Sequence, residues 1–262
     1  MQVLEINVYP IKSLRGSKAT AALVCRYGLE HDRQWMLVDA ASNMITQREC
    51  PRLATLVPSV EPHRLRVTVP GSEDISVPLD ARGWSDEHAT VDIFGHEYVG
   101  AVAIDSVNRS FSEASGVECK LLWIRSDIFR TKTEVAFHDT SPIHVIGQAS
   151  LDELNRRLTT PLPMNRFRPN LVIAGSKAFE EDTWERISIG ATVLRAVKQC
   201  ERCVIPTVDQ AEGQFRGPEP LKTLATFRRK GQNVTFGAYY RPEQAGARIH
   251  AGDEVRVLEA GA

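Results

Sequence analysis

The sequence predicts an α+β fold, mostly β: a β-barrel-like N-terminal module packed on a second β-barrel domain with short helical inserts. Three observations predict it. The apolar segments are short and bounded by turn residues, period-two alternation outweighs helical periodicity, and the βαβ alternation of doubly wound sheets is absent. The 262 residues suffice for one large domain or two modest ones. The expected boundary lies between residues 95 and 110, giving modules 1–95 and 96–262.

The elements follow in order. Residues 3–9 are apolar enough for a strand, which Pro10 ends. Residues 34–39 form the next, followed by a turn at 40–43. Residues 64–69 alternate basic and apolar side chains, as a half-exposed strand requires, and 76–79 and 89–94 continue the pattern. Residues 104–115 read as a helix, because Ile104, Val107 and Phe111 share one face and Gly116 offers a C-terminal stop. Residues 117–124 return to strand. Ser150-Leu151-Asp152-Glu153 has the spacing of a capping box, with Leu151, Leu154 and Leu158 as the buried stripe of the helix it would open. Residues 171–174 suit a buried strand, 187–197 a hairpin turning at Gly190, 220–227 a short helix begun by proline, and 254–258 a last strand.

Composition excludes several function classes. Thirty-two basic against 33 acidic residues give a net charge of −1, which argues against a dedicated nucleic-acid binder. Any anion site must be a local cluster of Lys and Arg. The N-terminus lacks a basic segment followed by an apolar one, and no apolar run reaches bilayer length, so a soluble, cytoplasmic protein without membrane association is expected. Five cysteines, an odd number and mostly isolated, do not make a secreted disulfide framework.

Two features could carry chemistry. Cys200-Glu201-Arg202-Cys203 is a C-x-x-C motif. A redox pair would favour a following helix, whereas β-branched residues and Pro206 come next. A structural zinc site would need a second ligand pair, and the seven histidines supply none at short spacing. Two small buried thiols, or one thiolate on a soft metal whose remaining ligands come from a cofactor, both stay open. The second feature is a series of basic and hydroxyl residues at strand ends: Lys12-Ser13, Asp32-Arg33, Gln47-Arg48, Thr140-Ser141 and Arg168. Each alone fits a solvated or ion-paired side chain. Together they could converge on an anion.

The motifs Tyr9-Pro10-Ile11-Lys12-Ser13, Gly28 to Trp35, Asp139-Thr140-Ser141-Pro142, Phe167-Arg168-Pro169-Asn170 and Cys200 to Asp209 occur in one order along nearly the whole chain. In this the sequence resembles the MOSC-domain family, in particular its amidoxime-reducing branch. The resemblance implies a molybdenum–molybdopterin cofactor with Cys203 as the protein ligand to the metal. It implies cofactor-binding roles for Lys12, Ser13, Arg33, Thr140, Ser141, Arg168, Asn170, Arg202 and Tyr239. It also places Asp209 near the metal, as a proton-handling group, although a turn aspartate bonding its own backbone is an equal reading of that residue. The implied reaction is reduction of N-hydroxylated compounds: amidoximes, hydroxylamines and N-hydroxylated base analogues. The alternative is a cofactor carrier or delivery protein without turnover. The cysteines offer no four-cysteine cluster motif and no nucleotide fingerprint is present. Electrons are therefore expected from a separate donor: a flavoprotein reductase with a ferredoxin-like or haem carrier.

Overall fold

The computed structural model describes residues 1–124 and 136–261. It is α+β and mostly β. Its largest sheet runs in the order Ser17–Ala19, Gln2–Val8, Leu171–Ala174, Ile143–Gly147, Asn233–Pro242, Thr192–Glu201, Trp184–Ile189, Val255–Ala260, with Arg229–Lys230 paired onto Asn233–Pro242. A second sheet joins Trp35–Val38, Lys120–Trp123, His96–Ala103 and Trp84–Ile93. A three-stranded meander, Val57–Glu61, Arg64–Thr68 and Ile75–Pro78, packs beside it. Among the described residues no helix is long and apolar enough to cross a membrane.

Each sheet owes its place to the apolar face it buries. In Arg64–Thr68, Leu65 and Val67 turn inward while the arginines face solvent. They join Trp35, Leu37, Trp84, Phe111 and Leu121 in one core. The helix Asp105–Ser115 closes that core with Val107, Phe111 and Ala114, and it ends at Gly116 in the left-handed conformation, as the sequence predicts. The large sheet buries Val3, Ile6, Ile143, Val145, Leu171, Ile173, Ile187 and Leu194 in a second core.

The large sheet brings the two ends of the motif series together. Gln2–Val8 pairs antiparallel with Leu171–Ala174, so the segment leaving the first strand at Tyr9 to Ser13 meets the segment entering the other at Phe167 to Asn170. The backbone N–H of Asn7 donates to the Asn170 carbonyl at 2.7 Å. Position 95 lies in the turn of the hairpin Trp84–Ile93/His96–Ala103. The two halves of the chain thus share sheets.

Two expectations are corrected. A βαβ unit is present: Ile143–Gly147, the helix Gln148–Arg157 and Leu171–Ala174, with the two strands parallel in register Val145 to Leu171. Every residue of Ile143–Gly147 is buried, so the alternation that marks a half-exposed strand is missing from its sequence. The capping box does not form either. The helix starts at Gln148 behind Gly147, one turn before the predicted cap. The Ser150 hydroxyl instead donates to Glu181 Oε2 at 2.8 Å and accepts from the Phe179 N–H at 2.7 Å. Glu153 pairs with Arg156 and Arg157 on the helix surface. Leu151 and Leu154 are buried as expected.

Candidate functional site

One cavity of about 930 Å³ opens where the two sheets approach each other. Lys12, Ser13 and Arg33 line it from the N-terminal segments, Thr140, Ser141, Arg168 and Asn170 from the middle of the chain, and Arg202, Cys203 and Tyr239 from the C-terminal strands. Ten of the predicted positions thus converge. Asp209 does not line the cavity. Its Oδ2 accepts from Arg166 Nη2 at 2.7 Å and its Oδ1 from the N–H groups of Ala211 and Glu212 at 2.9 and 3.2 Å. This is the turn-aspartate arrangement.

The floor of the cavity is built around Tyr9. Its ring lies between two guanidinium groups, with Arg33 and Arg168 each 4.3 Å from the centroid. Its hydroxyl donates to the Pro169 carbonyl at 3.1 Å, and burial pushes it up to about 12, so it remains a neutral phenol. The aromatic faces hold two like charges that would otherwise repel. Ser13, Arg33 and Arg168 all sit in left-handed backbone conformations, with φ of 66°, 51° and 56°. Such residues cost about 1–3 kcal/mol each and cluster at functional sites.

The two guanidiniums differ in their partners. Arg33 bonds the carboxylate of Asp32, which is fully buried and also accepts from the Tyr9 N–H at 2.8 Å. His138 Nε2 lies 3.0 Å from the same carboxylate. Burial alone would raise the Asp32 carboxyl, but Arg33 and His138 outweigh it and hold it below its ordinary range. Arg33 Nη1 also donates to Asn170 Oδ1 at 3.0 Å. The Asn170 amide accepts from the His144 N–H at 3.1 Å and donates to the Asn7 carbonyl at 3.1 Å. Asn170 therefore fixes Arg33 and the strand ends. Arg168, by contrast, has no carboxylate partner among the described residues, and its Nη1 donates to the Leu14 carbonyl at 2.6 Å. Burial, with the Arg33 charge adding to it, pulls Arg168 down to about 10. A buried cation in that state is stabilised by any anion placed against it.

Lys12 enters from the side. Its ammonium donates to the Phe137 carbonyl at 2.8 Å and to Asp139 Oδ1 at 2.5 Å. Burial opposes the Asp139 charge, but Lys12 and then Arg48 outweigh it and bring the carboxyl down to about 2. Burial lowers Lys12 in turn, against the pull of Asp139.

The two cysteines have different surroundings. The strand Thr192–Glu201 ends at the motif and buries Cys200 almost completely. Arg202 Nη1 donates to the Cys200 sulfur at 2.9 Å, and its Nη2 to the Phe167 carbonyl at 3.1 Å. Cys203 is only half-buried and lines the cavity, so its sulfur is accessible from inside. Arg48 faces that sulfur. Burial would lower the Arg48 guanidinium, and the adjoining Cys203 charge raises it instead. Arg48 stood in the sequence-level anion series but not among the residues carried over from the family. Its place is held by Gln47, whose amide donates to the Ser13 carbonyl at 2.7 Å and exchanges hydrogen bonds of 3.2 and 2.9 Å with Gln210.

Three buried polar atoms around the cavity have no protein partner: His138 Nδ1, His144 Nε2 and Arg202 Nε. The His144 and Tyr239 rings lie 5.2 Å apart. The backbone opposite is Gly237, at φ 77°, where a Cβ would lie 2.6 Å from His144 Nε2. Burial, and then the Arg202 charge, depresses His144 well below its ordinary value; burial also lowers His138 against the pull of Asp32. Both rings are neutral in the fold where the unfolded chain, below about pH 6.5, starts to bind protons. Stability is therefore complete above about pH 6.5 and declines as pH falls below it, by at most about 1.4 kcal/mol per pH unit for each ring. Urea midpoints of the cofactor-free protein between pH 7.5 and 5.5 check this, and a midpoint that rises on acidification would contradict it.

Among the described residues no three His, Cys, Asp or Glu side chains gather to hold a metal ion. The donor set is a single accessible thiol beside a cationic wall: Arg48, Arg168 and Arg202 without carboxylate partners among the described residues, with Lys12 and Arg33 behind them.

Comparison with known proteins shows the family of the chain. A model of the MOSC N-terminal beta barrel domain matches residues 1–118, and the MOSC domain model matches residues 132–256. The chain is 34% identical to mitochondrial amidoxime reducing component 2 of Rattus norvegicus over 280 residues, covering 97% of this chain and 82% of the relative. It is 30% identical to mitochondrial amidoxime-reducing component 1 of Homo sapiens, over 98% of this chain and 82% of that protein. Molybdenum cofactor sulfurase of Oryza sativa subsp. japonica is 31% identical over 88% of this chain, which is 31% of the sulfurase.

Proposed function

This chain belongs to the MOSC-domain family, and from that premise we propose that its cavity holds a molybdenum–molybdopterin cofactor and that the protein reduces N-hydroxylated compounds. The observation that carries the proposal is the pairing of one accessible thiol, Cys203, with guanidiniums that have no carboxylate partners among the described residues, around a cavity of about 930 Å³. Thiolate suits a soft metal, and arginines suit the anionic phosphate of a pterin cofactor.

In this reading Cys203 is the protein ligand to molybdenum. Lys12, Arg168 and the Ser13, Thr140 and Ser141 hydroxyls hold the phosphate end. Arg202, the Arg33–Asn170 pair and Tyr239 order the pterin. The bound cofactor would supply the two-electron chemistry that removes oxygen from an N–OH group. The balance is one N–OH, two electrons and two protons to one N–H and one water. Arg48 lies against the Cys203 sulfur and would offset the thiolate charge once that sulfur binds the metal. The division into modules 1–95 and 96–262 is part of the proposal: the first supplies Lys12, Ser13, Arg33 and Arg48, the second the metal ligand.

A cytoplasmic electron donor, separate from this chain, completes the cycle. NADH or NADPH alone is expected to give no steady turnover of benzamidoxime. Reduced viologen should restore it, as should a flavoprotein reductase with a ferredoxin-like or haem carrier. Sustained turnover on pyridine nucleotide alone would reveal a second redox centre. The match to a cofactor sulfurase supports a second reading, a carrier that binds the cofactor without turnover. Molybdenum per chain, measured with viologen-driven benzamidoxime reduction, separates the two. Metal with turnover supports the enzyme, metal without turnover the carrier, and neither refutes both.

A further inference from the structure

The mouth of the cavity carries an aromatic ring that folding does not explain. Phe94 is 60% exposed and belongs to none of the four buried clusters. It sits with Gly95 in the two-residue turn between Ile93 and His96. Both turn residues have positive φ, 53° and 85°. Such hairpin turns favour Asn-Gly or Gly-Gly, since a bulky side chain is sterically disfavoured there. Phe94 therefore meets an unfavourable backbone, and its ring gains little burial among the described residues to offset it.

Its position supplies a reason. Phe94 lines the same cavity as Cys203. Tyr98, two residues further along the same face of the hairpin as His96, also lines it and is anchored edge-on against Phe137 at 6.0 Å. On the C-terminal side the wall near the thiol is Ile205, and Val204 beside it is 40% exposed. Of the apolar side chains that line the cavity among the described residues, that of Phe94 is the most exposed, so a ligand entering from solvent can meet its ring.

We propose that Phe94 is a specificity-determining residue, whose ring stacks on the aryl portion of an N-hydroxylated aromatic substrate while the N–OH group points inward toward Cys203. The inference rests on the proposed reduction and adds the residue that selects aryl over small alkyl substrates. The ring contributes offset stacking, which a small alkyl group cannot accept. It takes no part in the bond-breaking step.

The test uses the cofactor-loaded protein with reduced viologen, comparing benzamidoxime with acetamidoxime. Phe94→Ala should raise KM for benzamidoxime about three- to tenfold, with kcat and the acetamidoxime KM within about twofold of wild type. Phe94→Tyr should restore the benzamidoxime KM. Calorimetric titration of benzamidoxime should show the same loss in Kd for Phe94→Ala, a readout independent of turnover. Equal changes for both substrates, or none in KM and Kd, would overturn the proposal. So would slower turnover only with a protein donor, which would make Phe94 a docking residue. Wild-type protein that turns over neither substrate would refute the proposed reaction, and the calorimetric comparison would still decide the role of Phe94.

Discussion

Cys203→Ser is expected to abolish reduction of N-hydroxylated substrates, lowering turnover by more than about a hundredfold, the upper end of what loss of even an outer contact to a metal costs. Cys200→Ser is expected to lower it less than about tenfold. The two residues share one motif, yet they do different things. Cys200 is buried at the end of the strand Thr192–Glu201 and spends its sulfur on Arg202 Nη1 at 2.9 Å. A serine hydroxyl can accept the same hydrogen bond, so Arg202 stays in place. Cys203 lies beyond the strand end, half-buried in the cavity wall with Arg48 against its sulfur. An alcohol there is a poor ligand for a soft metal and does not carry the thiolate charge that Arg48 faces. Viologen-driven benzamidoxime reduction with matched metal content checks the pair. Equal losses in the two variants would mean that the motif acts as a unit.

Arg33→Ala is expected to cost about 3–5 kcal/mol of stability, because it strands a buried carboxylate. Asp32 is fully buried and its Oδ2 is shared between Arg33 and His138. With the guanidinium removed, His138 must protonate or the carboxylate must take up a proton, and both are disfavoured in that dry site. Arg168→Ala should behave differently. Arg168 has no carboxylate to strand among the described residues, so its loss should lower molybdenum per chain while leaving the melting temperature of the cofactor-free protein nearly unchanged. A shared anion-holding role would suggest equal behaviour from the two arginines; their partners separate them. Thermal melting and elemental analysis of both variants decide it. An unchanged melt for Arg33→Ala would show that Asp32 finds another partner.

The parts of this architecture visible in the sequence were those with local signals. Arg64–Thr68 alternates visibly because one face meets solvent, and Asp105–Ser115 shows its stripe and its glycine stop. Ile143–Gly147 hides because it is buried on both faces, and the βαβ unit it belongs to was missed with it. The capping-box pattern at Ser150 misled because a distant carboxylate, Glu181, claims the hydroxyl. At the site, the family resemblance named ten residues that the fold brings to one cavity, nine of them within the five motifs. Spacing alone could not unite Lys12 with Asp139, 127 positions apart, because Gln2–Val8 and Ile143–Gly147, the strands beside them, both pair with Leu171–Ala174. Asp209 shows the converse: it stands in the motif, yet it is not among the cavity's lining residues, and its carboxylate bonds Arg166 and its own turn. Arg48 carried a signal in the basic series of strand ends, but only its contact with Cys203 distinguishes it from a solvated arginine.

The central claim is that the Cys203 sulfur, and not that of Cys200, binds molybdenum in this cavity. Molybdenum-edge X-ray absorption on wild type, Cys203→Ser and Cys200→Ser tests it most directly. One fewer Mo–S contact is expected in Cys203→Ser and an unchanged sulfur shell in Cys200→Ser. A lost Mo–S contact in Cys200→Ser, with Cys203→Ser indistinguishable from wild type, would contradict it.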